Sequence, residues 1–369
     1  MNREIYLDCK KILKDFMKKE YWSSFTAADL FFILSGRQRA LFTFVDQFFG
    51  DSFGCQLFFN NDGLNYVHDI LTSVNEQTVT IYDCDSLCAA FISKGELKED
   101  EIKFLKDNKI KISESNNLII YRYEAGFKQK IASDKDMKTM LEYFELISSV
   151  LKNEFNDVVT WFKENESIVA VMDKNRLEYE LIYRPLPYLE KMPKLLPKNK
   201  EFIDEFSNCT YLNDECYLFA SYLPVVIKET NIRPLVLYFY FPKLKKHYFK
   251  YIMDKPKEYK HIAFSIIYDV FTEVGVPYKI LFNNRTIYSI LKNTINELHI
   301  EDCFLREDNN VDSNMNEIIA KIYQESPEEL VEGEEFIKIL MDTITATLND
   351  FNAYEIDDSD EFNEQDFIS

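Results

Sequence analysis

Few residues in this chain have the type and spacing that chemistry needs. Asp83-Cys84-Asp85 follows the β-like stretch Val79 to Tyr82, and a D-x-D at a strand end can hold a divalent ion against a phosphate. Two turn acids that cap the next element would look the same, and that reading is favoured. Cys84 with Cys88, or Cys209 with Cys216, offers half a zinc site. With four His in the whole chain and no second C-x-x-C partner, buried thiols fit better. His68, His247, His261 and His299 stand apart from any G-x-S-x-G nucleophile motif. Gly50 and Gly54 precede a strand, whereas a Walker loop follows one and carries Lys-Ser or Lys-Thr. No catalytic residue, metal ligand or cofactor is assigned.

The clearest charge feature is a basic, aromatic segment over 243–260. It contains Lys243, Lys245, Lys246, Lys250, Lys255, Lys257 and Lys260 against only Asp254 and Glu258, interleaved with Tyr248, Phe249, Tyr251 and Tyr259. Such a hairpin can bind single-stranded nucleic acid through phosphate contacts and base stacking. Lysines also protect a sheet edge from aggregation, and that reading is preferred. A third reading has the acidic C-terminal tail fold back onto the hairpin, which would make these residues a polyanion or tail contact.

Composition narrows the function classes. The 369 residues carry 43 basic against 63 acidic side chains, a net charge of −20 that repels nucleic acid and anionic membranes at long range. Only 8 Gly leave little room for Gly-rich phosphate loops. Hydrophobic residues at 46%, with 31 Phe and 23 Tyr, can bury enough surface to fold. Seven scattered Cys imply no disulfide framework. The absence of an apolar run of about 18 residues and of a signal peptide leads to the expectation of a cytoplasmic protein with no membrane partner.

The elements that must position these residues fall into two halves. In the first, 5–17 is an amphipathic helix, and Leu30 to Leu34 and Cys55 to Phe59 are strands. Leu64 to Leu71 and Glu99 to Lys106 are helical, and Leu118 to Tyr123 is a strand. Ser133 and Asp136 form a capping box ahead of a helix to about Phe155. Ile168 to Met172 and Tyr179 to Tyr183 are strands. Pro185, Pro187, Pro193 and Pro197 then mark a Pro/Lys-rich linker. The expected organisation is an α+β domain over 1–184, a linker over 185–200, a second α+β domain over 201–350 and a disordered acidic tail over 351–369.

The second half reads βββαβαβα. Its strands are Cys216 to Leu223, Leu235 to Phe241, His247 to Met253, Tyr278 to Phe282 and Ile300 to Leu305. The helices begin near Tyr259, after Asn284 and near Met315, and Glu334 to Leu348 is a last amphipathic helix. Three directly joined strands followed by strand-helix alternation predict a mixed sheet resembling the ribonuclease H-like folds. A nuclease of that topology needs carboxylates in the middle of the first strand and at the end of the fourth. Cys216 to Leu223 has no acid, and the fourth strand ends in Asn283-Asn284. Asp269, Glu273 and Glu317 on the helices are read as solvated surface.

Trp22, Gly50 to Cys55 running into Asn60 to Leu64, and Tyr121-Arg122-Tyr123-Glu124-Ala125-Gly126 resemble a bacterial domain of unknown function, family 7309. Leu218 to Pro224 and Gly275-Val276-Pro277-Tyr278-Lys279-Ile280 are similar to a second such domain, family 6930. The resemblance implies a bacterial two-domain protein and brings no established catalytic residue. The expectation is a non-catalytic module with protein partners. The alternative is a nucleic-acid-associated factor of a mobile element or defence system that uses hairpin 243–260.

Overall fold

The computed structural model describes most of residues 3–304, the longest gaps being 68–83 and 185–202; beyond 304 it describes 330–332, 338, 340 and 342. The chain is α+β, and its described strands form two larger sheets and one short pair.

The first sheet contains β1 (Phe31–Ser35), β2 (Gln38–Val45), β3 (Gly54–Phe59), β4 (Ser86–Ile92), β5 (Asn117–Tyr123), β6 (Lys130–Ile131), β7 (Ser167–Met172) and β8 (Tyr179–Arg184). Their order is β6-β5-β4-β3-β2-β1-β7-β8, antiparallel except for the parallel pair β1–β7. That exception needs a long crossover. Helix α3 (Asp134–Lys163) supplies it: 30 residues give about 45 Å of rise, enough to carry the chain across the sheet.

Helix α3 starts where Ser133 Oγ and backbone N–H both donate to Asp136, at 2.6 and 3.0 Å, while Asp136 N–H donates back to Ser133 Oγ. It passes the expected end at Phe155 after a local break at Glu154 (φ −126°). Helix α1 (Arg3–Lys18) lies beside it and buries Tyr6, Cys9, Leu13 and Phe16. Phe16, Phe42, Phe44 and Phe144 meet edge to face at centroid distances of 5.2–6.2 Å, the geometry that ring quadrupoles favour. Helix α2 (Glu99–Asp107) follows β4. Strands β2 and β4 were not anticipated. The stretches 64–71 and 79–82 lie largely or wholly outside the described residues, as do the linker, the helix near Met315 and the tail.

The second sheet contains β9 (Tyr211–Tyr222), β11 (Leu235–Phe241), β12 (Lys246–Ile252), β13 (Val276–Phe282) and β14 (Glu301–Phe304), in the order β12-β11-β9-β13-β14. The first three pair antiparallel; β13 is parallel to β9 and β14 parallel to β13. Helices α4 (Tyr259–Val274) and α5 (Arg285–Glu297) make the crossovers. They cover one face through Ala263, Ile267, Val270, Ile287 and Leu291, against Leu218, Leu237 and Phe239. The opposite face carries Phe219, Val236 and Tyr238 under Leu340. The expected first strand was five residues short at its start, because Asn213, Asp214 and Glu215 interrupt the apolar run that marks a buried strand.

The sheets also touch. The loop after β5 meets the residues before β11, with Lys128 N–H donating to Asn231 O at 3.0 Å and Arg233 N–H to Gly126 O at 2.8 Å. Phe127 and Ile232 form an antiparallel bridge. Gly126 has φ +76°, the left-handed conformation that glycine adopts at no steric cost. The short pair β10 (Val226–Ile227) and β15 (Leu330–Val331) is parallel.

Gly275 joins α4 to β13 at φ +113°, and a Cβ there would sit 2.7 Å from the Leu212 side chain. Gly275→Ala should lower stability by about 1–3 kcal/mol through backbone strain alone, with Leu212 crowding added. Urea unfolding of both proteins measures it, and an unchanged midpoint would contradict this reading.

Candidate functional site

The longer β9 corrects one expectation, because the first strand of the mixed sheet does carry acids. Neither approaches the end of β13. Asp214 is 2% exposed and accepts backbone N–H groups from Glu215, Lys243 and Leu244 at 2.8, 3.1 and 3.0 Å. It therefore caps the β11–β12 turn, and three donors hold its carboxylate. Glu215 accepts from the Tyr278 hydroxyl at 2.7 Å and lies 3.6 Å from Lys279 Nζ.

Asn283, directly after β13, meets β9 at Ala220, six residues beyond Asp214 and five beyond Glu215, about 17–20 Å away at strand rise. Its Oδ1 accepts from Ala220 N–H at 2.8 Å, and its Nδ2 donates to Ala220 O at 3.2 Å. The amide continues the β9–β13 ladder by one rung. An acid cannot reproduce that pattern, since an ionised carboxylate accepts but does not donate. Asn284 caps α5, its side chain accepting from Ile287 N–H at 3.0 Å. Mid-strand, Leu218 and Phe219 are buried apolar residues. Of the helix acids, Asp269 and Glu273 are exposed, and Glu317 lies outside the described residues.

The basic hairpin is the sheet edge. Strand β12 pairs with β11 alone among the described strands. Because side chains alternate across a strand, β12 sorts its residues by face. Lys246, Tyr248 and Lys250 share the side of the helices, where Tyr248 packs on the core. His247, Phe249 and Tyr251 share the other. Phe249 stacks on Tyr238 at 4.4 Å and His247 on Tyr240 at 4.5 Å, with His247 Nδ1 2.7 Å from the Tyr238 hydroxyl. The expected single basic-aromatic surface is thus split in two along the strand.

The remaining lysines are spread around it. Lys243 Nζ donates to Asn213 O and Oδ1 at 2.6 and 3.1 Å and lies 5.6 Å over the Tyr278 ring. Lys245 and Lys255 adopt positive φ of 51° and 46° in the turns that flank the strand. Lys257 is exposed. Lys260 is half-buried, 5.7 Å over the Tyr259 ring. Lys246, Lys250 and Tyr251 are exposed along the edge itself.

In the first sheet Asp85 lies 3.6 Å from Arg122 Nη2, and the same guanidinium stands 4.0 Å from Glu124 and 5.4 Å over Phe59. Asp83 lies outside the described residues. Burial pushes the thiols of Cys55, Cys88 and Cys216 well above the ordinary range and that of Cys9 up to about 12. Protonated thiols are poor metal ligands. Cys209 and His68 lie outside the described residues, His261 is exposed, and His299 turns the chain after α5 at φ +55°. Among the described residues no group of three His, Cys, Asp or Glu is placed to hold a metal. Sequence reading missed the buried Glu101, which accepts from the Tyr121 hydroxyl and from Lys98 N–H. The phenol of Tyr121 is raised by burial and by that bond. A Glu three residues after the start of a helix was the available signal, and it shows only the capping half of this role.

Residues 8–172 match the family model described as Domain of unknown function (DUF7309). The match runs from α1 through β7, so it includes the Arg122–Asp85 pair and the Gly126 loop. No curated protein matches the chain. Among the described residues no helix is long and apolar enough to cross a membrane.

Two consequences are measurable. The hydrogen bond to Glu215 first, then desolvation, raises the Tyr278 phenol to about 12. Its proton is retained in the fold, so its contribution to stability is present below the unfolded value near 10 and is lost as pH rises from there through about 12. In Glu215→Gln the phenol should ionise nearer 10, read by ultraviolet titration against Tyr278→Phe. At the other end of the ladder, Asn283→Asp turns a carboxylate toward Ala220 O and should cost about 1–3 kcal/mol at neutral pH. That carboxyl's folded pKa is raised, so stability should recover as pH falls toward about 4. A pH-independent difference in urea midpoint would refute the assignment.

Proposed function

We propose that this is a non-catalytic interaction protein of two α+β domains, 1–184 and 201–350, joined by the linker 185–200 and acting in the cytoplasm through protein contacts. The second domain is ribonuclease H-like in topology and is the part that resembles domain of unknown function family 6930. Support for the topology comes from the strand order β12-β11-β9-β13-β14 with two antiparallel and two parallel pairings. That is the order of a three-strand meander followed by two helical crossovers.

The observation that carries the non-catalytic reading is the Asn283 amide. It occupies the end of the fourth strand, where a metal-dependent nuclease of this topology needs a carboxylate, and both its polar atoms are committed to Ala220. Asp214 is spent on a turn, and Glu215 on Tyr278 and Lys279. Nucleic-acid binding by hairpin 243–260 is the weaker reading. Stacking needs free ring faces near the phosphate contacts, whereas Phe249 and His247 already stack within the sheet, on the side away from Lys246 and Lys250.

The test is incubation of the full chain with single- and double-stranded DNA and RNA in magnesium or manganese at low salt. No hydrolysis is expected, and no oligonucleotide binding that weakens when Lys246 and Lys250 become Glu. Cleavage lost in Glu215→Gln or Asp269→Asn would overturn the proposal, as would lysine-dependent binding whose affinity falls steeply with salt.

A further inference from the structure

A groove of about 340 Å³ opens between α1 and α3, lined on one side by Asp8, Lys11 and Ile12 and on the other by Glu145, Ser148 and Lys152. Helical spacing explains the convergence. Residues 8, 11 and 12 stand at i, i+3 and i+4, and residues 145, 148 and 152 at i, i+3 and i+7, so each set forms one stripe of its helix. All six lie within the span that the family model matches.

Ser148 is 7% exposed, and its hydroxyl makes no hydrogen bond among the described residues. On the same helix Thr139 and Thr160 donate to the carbonyls of Lys135 and Asn156, four residues back, at 3.1 and 2.9 Å, which is the usual way a helical hydroxyl is satisfied. A nearly buried hydroxyl without such a bond is destabilising unless a polar group reaches it from the groove. The charges around it are also uncommitted. Asp8, Lys11, Glu145 and Lys152 are exposed, and none of them makes an ion pair or a hydrogen bond among the described residues. Near the end of α1, outside the groove, Asp15 and Lys19 do close, at 3.1 Å. Ile12, half-buried against the core, supplies an apolar wall.

We propose that this groove binds a small zwitterion of the amino-acid type. Lys11 and Lys152 hold its carboxylate, Asp8 and Glu145 its ammonium, the Ser148 hydroxyl bonds to it, and Ile12 meets its aliphatic part. The charge inventory selects this class. Two cations and two anions sum to zero, so a ligand with one sign alone meets repulsion as well as attraction, while one carrying both signs gains at each pole. In a chain of net charge −20 a bare anion is also repelled at long range, and a zwitterion is not. The volume falls at the small end of ligand sites, about 300–1,000 Å³, which suits a molecule of amino-acid size. The site lies on the first half of the chain and goes beyond the non-catalytic reading, which allows binding without turnover.

The experiment is calorimetric titration of the full chain with the common L-amino acids one at a time, and with acetate and methylammonium as probes carrying one pole each. Saturable binding of at least one amino acid at millimolar concentration is expected, at least tenfold tighter than either single-charge probe. Lys11→Gln with Lys152→Gln, and separately Asp8→Asn with Glu145→Gln, should each weaken it at least tenfold. All four side chains are exposed, so these variants should fold. Ser148→Ala should also weaken binding, while the urea midpoint of the protein without ligand stays the same or rises, because no bond within the fold is lost. A lower midpoint would give the hydroxyl a structural partner and overturn the site. No saturable binding of any amino acid would sink the proposal. So would acetate or methylammonium binding as tightly as the amino acid, or binding that survives both double substitutions.

Discussion

The second sheet depends on β9, the one among its described strands that pairs antiparallel on one side, with β11, and parallel on the other, with β13. A parallel partner cannot be reached by a tight turn, so the chain must leave the sheet, cover a face with α4 and return. Gly275 makes the return abrupt: α4 ends and β13 begins within one residue, at a φ that side-chain-bearing residues avoid. Coverage of one face by α4 and α5, and burial of the other around Phe219 and Tyr238, then require apolar residues on both sides of β9 and β11. That requirement fills the middle of β9 with Leu218 and Phe219.

A half-buried polar group at the β9–β13 junction has to match what faces it. The ladder between these strands ends at Phe282–Leu218, and beyond it Ala220 still presents an N–H and a C=O. Asn283 satisfies both. A carboxylate would satisfy one and repel the other, and the mismatch costs more than the gained bond returns. Asn283 therefore closes the ladder by one rung beyond its last strand pair. Asp214 shows the opposite solution at the other end of the strand, a buried carboxylate kept by three backbone donors in a turn. A loop offers several N–H groups converging on one point, and a ladder does not.

The pattern of the second half was legible in sequence because its periods are clean. Leu235 to Phe241 is recovered to the residue, and Asn284 caps α5 as its type suggests. What was not legible were strands whose apolar run is interrupted. β2 begins with Gln38-Arg39, and the early part of β9 carries Asn213, Asp214 and Glu215. The early part of β9 pairs with β13, far along the chain, so no local window marks it, whereas β2 pairs with its neighbours β1 and β3 and is hidden only by its polar start. The same holds for the site. The identities of Asn283 and the lysines were readable, but the bidentate bond to Ala220 and the stack of Phe249 on Tyr238 each depend on register between strands, which composition does not encode.

Register also decides what the lysine-rich segment can be. Read as a string, lysines and rings alternate and look like one surface; folded, the period of two sends Lys246 and Lys250 to one side and His247, Phe249 and Tyr251 to the other. The rings satisfy their faces with Tyr238 and Tyr240, and the charges remain along the rim. Long, mobile cations at a rim do little for affinity by themselves, since exposed ion pairs are worth about 0–1 kcal/mol. Their larger effect is on which strands can approach: they disfavour neutral or basic edges, a second copy of β12 included, and tolerate acidic ones. The same residues that keep this edge from aggregating therefore also set the sign of the charge that any strand added to it must carry.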